Sequence, residues 1–427
     1  MDHKSSVLSY PLDNSAIVHM AARRRNHTNS FRIAITLREP VCKETLQRAL
    51  EHITPRFPAV IAGIRSGFFQ YRVVPVRDIP KVKEETECLA PMRKNEIRDC
   101  AFRVLYCQNR IAAEFFHSLT DGYGGMVVMN TLAAEYLRLK YAVSVPVTDT
   151  LFHPDDLPAE EEQRDDYFTY AGKQMEVFKS SSVYQLPGKP LSAGKVLVTT
   201  DFIDSDRILK AARCHGVSVT VFLCAVMAVS VMEIQSGNFP NGKQWKPVQI
   251  MVPVDLRRLF PSRTLRNFSL FALVRVTRQD EKSSFRELLR MIESQMNTQK
   301  ARNYMQNVMA AHIRAEKFPL YRAAPLFLKW TAMRLIHGIM GENNSCISLS
   351  NLGVATMPEE MSRHVERIEF VLTPKVKSLY NCGVVTYNGK TAINFSRNCE
   401  ASELEKIFSR KLRQMVQITE QDCRGNV

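Results

Sequence analysis

No two of the ten cysteines stand in a CxxC spacing, and no His/Cys cluster has zinc-site spacing. No metal site is expected, and the scattered thiols read as the reduced cysteines of a cytoplasmic protein. No run of 18 apolar residues exists, so no membrane span is expected. The most apolar long stretch, residues 323–340, is interrupted by Lys329 and Arg334 and reads as an amphipathic helix packed in a core. Met1-Asp2-His3-Lys4 leads into no apolar segment, so no secretory leader is expected. The basic triplet Arg23-Arg24-Arg25 is short, and no Lys/Arg run is interleaved with aromatics, so nucleic acid is not an expected partner. There is no GxxxxGK[ST] loop to support ATP use and no GxSxG elbow for a serine hydrolase.

What is present is ordinary in bulk and uneven in charge. The 427 residues are 45% hydrophobic and 24% charged, enough for more than one lobe and a core that needs no disulfide staple. The formal net charge is +15, yet residues 149–166 carry eight acids against one arginine. A basic body of this kind attracts nucleic acid, anionic lipid or a phosphorylated small molecule, and the sign alone does not choose.

Strand-like and helix-like patterns alternate, which predicts an α/β fold. Strands are expected at 31–37 and 68–76, a hairpin at 102–107 and 111–116, and helices at 43–53 and 126–141. The Pro-rich acidic stretch and the loop around 180–194 separate these from a second set. That set has helices at 204–213, 219–234 and 283–302, with a further helical stretch to about 317. Strands are expected at 248–254, 267–277, 346–350 and 367–372. A hairpin turns at Asn388-Gly389, and a last helix starts at Ser402. The expected organisation is an N-terminal lobe 1–170, a connector 171–195 and a C-terminal lobe 196–427, each lobe a mixed sheet flanked by helices.

One motif carries chemistry: His117-Ser118-Leu119-Thr120-Asp121-Gly122, an HxxxDG. It falls where the expected strand 111–116 ends and before a helix, the place where α/β proteins bind ligands. Gly122, Gly124 and Gly125 let backbone approach a ligand. A neutral imidazole beside a cleft takes a proton from a hydroxyl, amine or thiol. Asp121 four residues on holds the loop, through an arginine, better than it serves as a second base. The plainer reading is a core histidine beside a helix-capping aspartate.

The stretch 114–125 resembles the active-site loop of the HxxxD acyltransferase superfamily, which includes chloramphenicol acetyltransferase, peptide-synthetase condensation domains and alcohol acetyltransferases. Three further stretches follow the family's order. Tyr10-Pro11-Leu12-Asp13-Asn14 resembles the opening segment of the alcohol acetyltransferase-like group. Val252-Pro253-Val254-Asp255-Leu256-Arg257, followed by Arg266-Asn267-Phe268, and Ser348-Leu349-Ser350-Asn351-Leu352-Gly353 resemble later family segments.

The resemblance implies two chloramphenicol-acetyltransferase-like lobes with a tunnel between them and His117 at its middle. His117 would deprotonate a small-molecule hydroxyl acceptor that attacks acyl-CoA, a co-substrate, with no bound cofactor and no acyl-enzyme. Asp121 would be structural, paired with Arg257 or, next, Arg258. Main-chain N–H near Gly122 would meet the oxyanion, with the Ser348 or Ser350 hydroxyl as a weaker donor. The alternatives are an acyl carrier protein as donor with an amine or alcohol acceptor, or a non-catalytic binding protein that keeps the fold. Condensation domains usually carry a second histidine where this chain has Phe116, which tilts the resemblance toward the alcohol acetyltransferase-like group. The DFGWG motif of the plant branch is absent. Arg257, Arg258, Arg263 and Arg266 form a basic cluster that suits coenzyme A phosphates or solvent equally well. Asn267 and Asn351 stand beside these motifs, as tunnel wall or as loop residues bonding their own backbone.

Overall fold

The computed structural model describes residues 9–25, 27–174, 182–240, 244–314, 318–336 and 344–425. Three sheets organise them. The first is five-stranded, in the order β12 (Val365–Leu372), β2 (Ser30–Leu37), β7 (Arg110–Phe116), β6 (Phe102–Cys107) and β5 (Lys83–Glu84). The second is six-stranded, in the order β10 (Ser269–Val276), β9 (Val248–Asp255), β11 (Ile347–Val354), β13 (Tyr380–Tyr387), β14 (Lys390–Arg397) and β8 (Leu197–Asp204). A small third sheet joins β1 (Tyr10–Pro11), β4 (Tyr71–Pro75) and β3 (Ala62–Ser66). The larger sheets are mixed: β5 runs parallel to β6, and β11 runs parallel to both β9 and β13.

The sequence explains these elements locally. β2 is buried at every position, which its run of apolar residues requires of a strand covered on both faces. Asn388 (φ 46°) and Gly389 (φ 72°) both take the left-handed region, the geometry of a two-residue hairpin turn between β13 and β14. The helix Lys43–Ile53 buries Leu46, Ala49, Leu50 and Ile53 on one stripe. The helix Gly122–Tyr141 lies under the first sheet, buried from Gly124 to Leu137. Val219–Asn238 lies under the second, capped by the Ser218 hydroxyl. By length and composition it is apolar enough to cross a membrane, but 72% of its apolar window is buried inside the fold.

Several expectations are corrected. The helix after the HxxxDG motif begins at Gly122, four residues before its expected start. The glycines belong to it because a Cβ on Gly124 would stand 2.4 Å from the Leu265 carbonyl oxygen. The expected strand 68–76 begins at Tyr71; Phe68 and Phe69 stand in the preceding turn, 70% and 48% exposed. Stretch 323–340 is one helix only in part and packs only in part, through Leu326 and Trp330. A break at Ala324 and Pro325 separates the helices Pro319–Ala323 and Leu326–Ile336. The second of these leaves Phe327 and Leu328 exposed, and residues 337–340 lie outside the described residues. β8 had no counterpart among the expectations. Eight cysteines are free thiols, but Cys214 is disulfide-bonded. It ends the helix Ser205–Cys214, which packs on the C-terminal helix Glu403–Gly425 across a sequence distance that spacing rules do not reach.

The two large sheets divide the later strands in an order the chain does not announce. β12 follows β11 and precedes β13, both in the second sheet, yet it pairs with β2 in the first. The acidic stretch also joins the halves. Glu162 receives both guanidinium nitrogens of Arg56 at 2.6 and 2.7 Å, and its carbonyl accepts from Leu265 N–H.

Candidate active site

His117 follows the last residue of β7, and its main-chain N–H donates to the Asn29 carbonyl at 2.9 Å. The half-buried ring faces Asn267 Oδ1 through Nδ1 at 3.1 Å. Asn267 Nδ2 donates to the His117 carbonyl at 2.8 Å. That carbonyl only accepts, so the amide nitrogen must face it and Oδ1 must face the ring. Nδ1 then carries the proton of the neutral imidazole and leaves the Nε2 lone pair able to accept one. Among the described residues no hydrogen bond engages Nε2. Burial lowers the His117 pKa below its ordinary value, while a main-chain hydrogen bond, Asp121, Asn267 and Asp13 pull it up. The net effect is lowering, which keeps the ring neutral at neutral pH.

Asp121 faces away from the ring. Its Oδ1 accepts from Tyr123 N–H (3.2 Å) and Gly124 N–H (3.3 Å), capping the helix Gly122–Tyr141. Its Oδ2 accepts from Arg257 Nη1 (2.9 Å) and from Phe268 N–H (2.8 Å). Both oxygens are engaged twice, so this carboxylate is a brace. Arg257 spends its remaining donors on Asp255 Oδ1 (2.9 Å), Thr264 O (2.9 Å) and Arg266 O (2.7 Å), with its guanidinium over the Tyr123 ring. Asp255 keeps a raised pKa, burial outweighing the Arg257 charge.

A cavity of about 520 Å³ opens beside His117 and is walled by both halves of the chain. Gly122 and Tyr123 come from one side; Thr220, Arg258, Lys300 and Ser350 come from the other. Gly122 begins its helix there, where a Cβ would meet the Leu352 side chain at 2.5 Å. Ser350 lines the cavity; Ser348 lies two residues back on the same face of β11, buried, and is not part of the wall. Asn351 lines it and shapes β11, accepting from Gly353 N–H (2.9 Å) and donating to Thr220 Oγ1 (3.2 Å). The basic cluster divides. Arg257 and Arg266 are buried in ion pairs, Arg266 with Asp13 at 3.3 Å, and neither lines the cavity beside His117. Arg263 is exposed, and Arg258 lines the cavity with Lys300. Among the described residues no group of three or more His, Cys, Asp or Glu could hold a metal ion.

Two residues of the site had no signal in the motif. Lys300 ends the helix Phe285–Lys300, and only the fold brings it to this wall. His19, in the helix Asn14–Ala22, stacks on His117 with ring centroids 4.4 Å apart, and its Nδ1 lies 2.6 Å from Asn29 Nδ2. Asn29 thereby ties the His19 ring to the His117 main chain.

No protein-family profile and no curated protein matches the chain. Solved structures do. It is similar over 96% of its length to 98% of polyketide synthase associated protein 5 from Mycobacterium tuberculosis, at 14% identity and a TM-score of 0.60. It covers 97% of the first condensation domain of the CDA synthetase, with 97% of its own length, 13% identity and a TM-score of 0.59. For a mutant starter condensation domain of rhizomide synthetase, in complex with C8-CoA and Leu-SNAC, the shares are 98% and 96%, with 14% identity and a TM-score of 0.61. These likenesses define the class by fold. The chain has the two-lobed, mixed-sheet architecture of condensation domains along essentially its whole length.

Proposed function

We propose that this chain is an acyltransferase that moves an acyl group from a pantetheine thioester to a hydroxyl or amine acceptor. The observation that carries the reading is a neutral His117 with Nδ1–H held by Asn267 and Nε2 unengaged at a cavity walled by both halves. The acceptor's proton passes to Nε2 as its oxygen or nitrogen bonds to the thioester carbonyl carbon. The C–S bond then breaks, and the leaving thiolate takes the proton back from the imidazolium. No acyl-enzyme forms and no bound cofactor is needed. Gly122 N–H and the Ser350 hydroxyl are the donors assigned to the oxyanion, with Ser348 deeper along the same strand. Asp121 and Arg257 brace the loop.

A donor carried on an acyl carrier protein is the first reading, because the similar structures are named as condensation domains or a synthase-associated protein. Free acyl-CoA and a hydroxyl acceptor, as in the alcohol acetyltransferase-like group, is the second. Two observations favour it: Phe116 stands where condensation domains usually have their second histidine, and one similar domain is named in complex with C8-CoA. Arg258 and Lys300 would meet the phosphates of either donor. A cytoplasmic location is part of the proposal, and the eight free thiols support it.

The test is release of free thiol from acyl-CoA and from acyl carrier protein, with a panel of alcohols and amines. Wild type should release thiol only with acceptor present, and His117→Ala should lower the rate about 10²–10⁴-fold. Folded wild type that releases nothing from either donor would leave the chain as a binding protein. Equal release by the mutant would remove His117 from the role of base.

A further inference from the structure

The helix Leu326–Ile336 carries both buried and exposed large apolar side chains. Leu326 is 9% exposed, and Trp330 packs with it against the cluster that holds Leu12, Ala16 and Met20. Phe327 and Leu328, the next residues along, are 66% and 52% exposed. A surface helix ordinarily has one apolar stripe facing its own core. This one adds two large apolar side chains outside that stripe, Phe327 at the rim of a groove and Leu328 beside it in sequence. These are continued by neighbours. Leu326 N–H donates to the Phe68 carbonyl at 2.8 Å, and Lys329 Nζ to the Phe69 carbonyl at 2.9 Å. The β3–β4 turn, with its exposed Phe68 and Phe69, therefore lies alongside. Just before the helix stand Phe318 and Leu320, 53% and 85% exposed. Apolar groups gathered this way mark an interaction surface.

Charge chooses the occupant. Between the turn and the helix runs a groove of about 830 Å³ with Ile97, Phe327 and Trp330 among its apolar lining. Arg23, Arg65, Lys94 and Arg98 also line it, and no Asp or Glu does. Arg98 pairs with Asp99, whose carboxylate also feels the Arg65 charge, but among the described residues Arg23 and Lys94 stand in no ion pair. A second copy of this chain would set like charges against each other here. An acidic peptide would answer the cations and leave the aromatic side chains in water. An anionic bilayer surface answers both, taking the apolar side chains at the acyl boundary and the cations at the headgroups. We infer that this face docks the protein, peripherally and reversibly, on an anionic membrane. The inference stands apart from the reaction at His117.

Sedimentation with vesicles tests it, using phosphatidylcholine alone and phosphatidylcholine mixed with phosphatidylserine. Wild type should partition onto the mixed vesicles, weaken as salt rises, and leave the neutral ones largely unbound. The double variant Phe327→Ser/Leu328→Ser and the double variant Arg65→Gln/Lys94→Gln should each lower partitioning about tenfold or more. All four side chains are outside the His117 site, so melting curves and thiol release should match wild type. Wild type that fails to bind, binds both vesicles equally, or binds unchanged in the two variants overturns the inference. Light scattering that shows a dimer dissociated by Phe327→Ser/Leu328→Ser would overturn it in favour of a second copy.

Discussion

At the scale of single residues, one amide decides what His117 does. Asn267 accepts from Nδ1 and donates to the carbonyl of the same residue, so it fixes both tautomer and ring orientation. It also holds the imidazole pKa up against the burial that lowers it. Under the proposed reaction the neutral ring is the active form, so the rate should be flat above the ordinary value of 6.5 and fall only in more acidic solution. Asn267→Leu should move that acidic limb to still lower pH and cut the plateau about tenfold, the worth of a hydrogen bond to a buried group. A pH–rate profile of the variant reads both effects. An unmoved limb would mean that Asn267 does not touch the titrating base. The same lowering has a stability sign: below pH 6.5 the unfolded chain binds more protons at this site than the folded one, so His117 favours unfolding as pH falls. His117 and Asp121 were legible in the sequence because four residues of local spacing carry them. Asn267 could be named from its neighbours, but its partner lies 150 residues away, and its competing roles could not be separated. His19 gave no signal, since ring stacking between distant segments leaves no local pattern.

At the scale of elements, Asp121 is where three of them are tied. It caps the helix Gly122–Tyr141, grips the Arg257 turn after β9, and accepts from Phe268 just before β10. Arg257 is 7% exposed and Asp121 5%, so neither charge has water to fall back on. Removing one leaves the other buried with only its remaining partners, Asp255 for Arg257 and three main-chain N–H groups for Asp121, so each single removal should be costly. We expect Asp121→Asn and Arg257→Met each to lower unfolding stability by about 3–5 kcal/mol. The double variant should lose less than the sum, read as a coupling in a urea double-mutant cycle. Strict additivity would show that the two do not act as a unit. Helix and strand identities were mostly legible from periodicity, while their ends were not. Glycine's poor propensity hid the true start at Gly122, where close packing of Gly122 against Leu352, Gly124 against Leu265 and Gly125 against Phe31 leaves no room for a Cβ. β8 escaped notice because it is a half-exposed edge strand without an apolar run. The helix Leu326–Ile336 was expected to be more covered than it is, because an apolar stretch reads as core whether or not the fold covers all of it.

At the scale of the whole molecule, the path of β12 governs whether the site can exist. The chain leaves the second sheet after β11, adds an edge strand to the first beside β2, and returns as β13. The strand pattern at 367–372 was legible; the sheet it joins was not, because pairing partners are chosen by tertiary packing rather than by the strand's own residues. Phe370 sits at the seam. It is 2% exposed, meets Phe31 edge-on with centroids 6.1 Å apart, and lines the cavity beside His117. Its carbonyl lies 2.2 Å from where a Cβ on Gly383 of β13 would stand. The halves therefore cannot part without stripping a buried strand from one of them, and they should unfold together. The two tryptophans report this separately: Trp245 packs against the core of the second sheet and Trp330 against the cluster under the N-terminal helix. In Trp245→Phe and Trp330→Phe proteins the remaining tryptophan should show the same urea midpoint. Adding Phe370→Ala should lower both midpoints in step, by about 3–5 kcal/mol of stability. If only one reporter moves, or the midpoints differ from the start, the lobes fold independently. The cavity would then be a contact between two separate bodies instead of a product of one chain crossing between sheets.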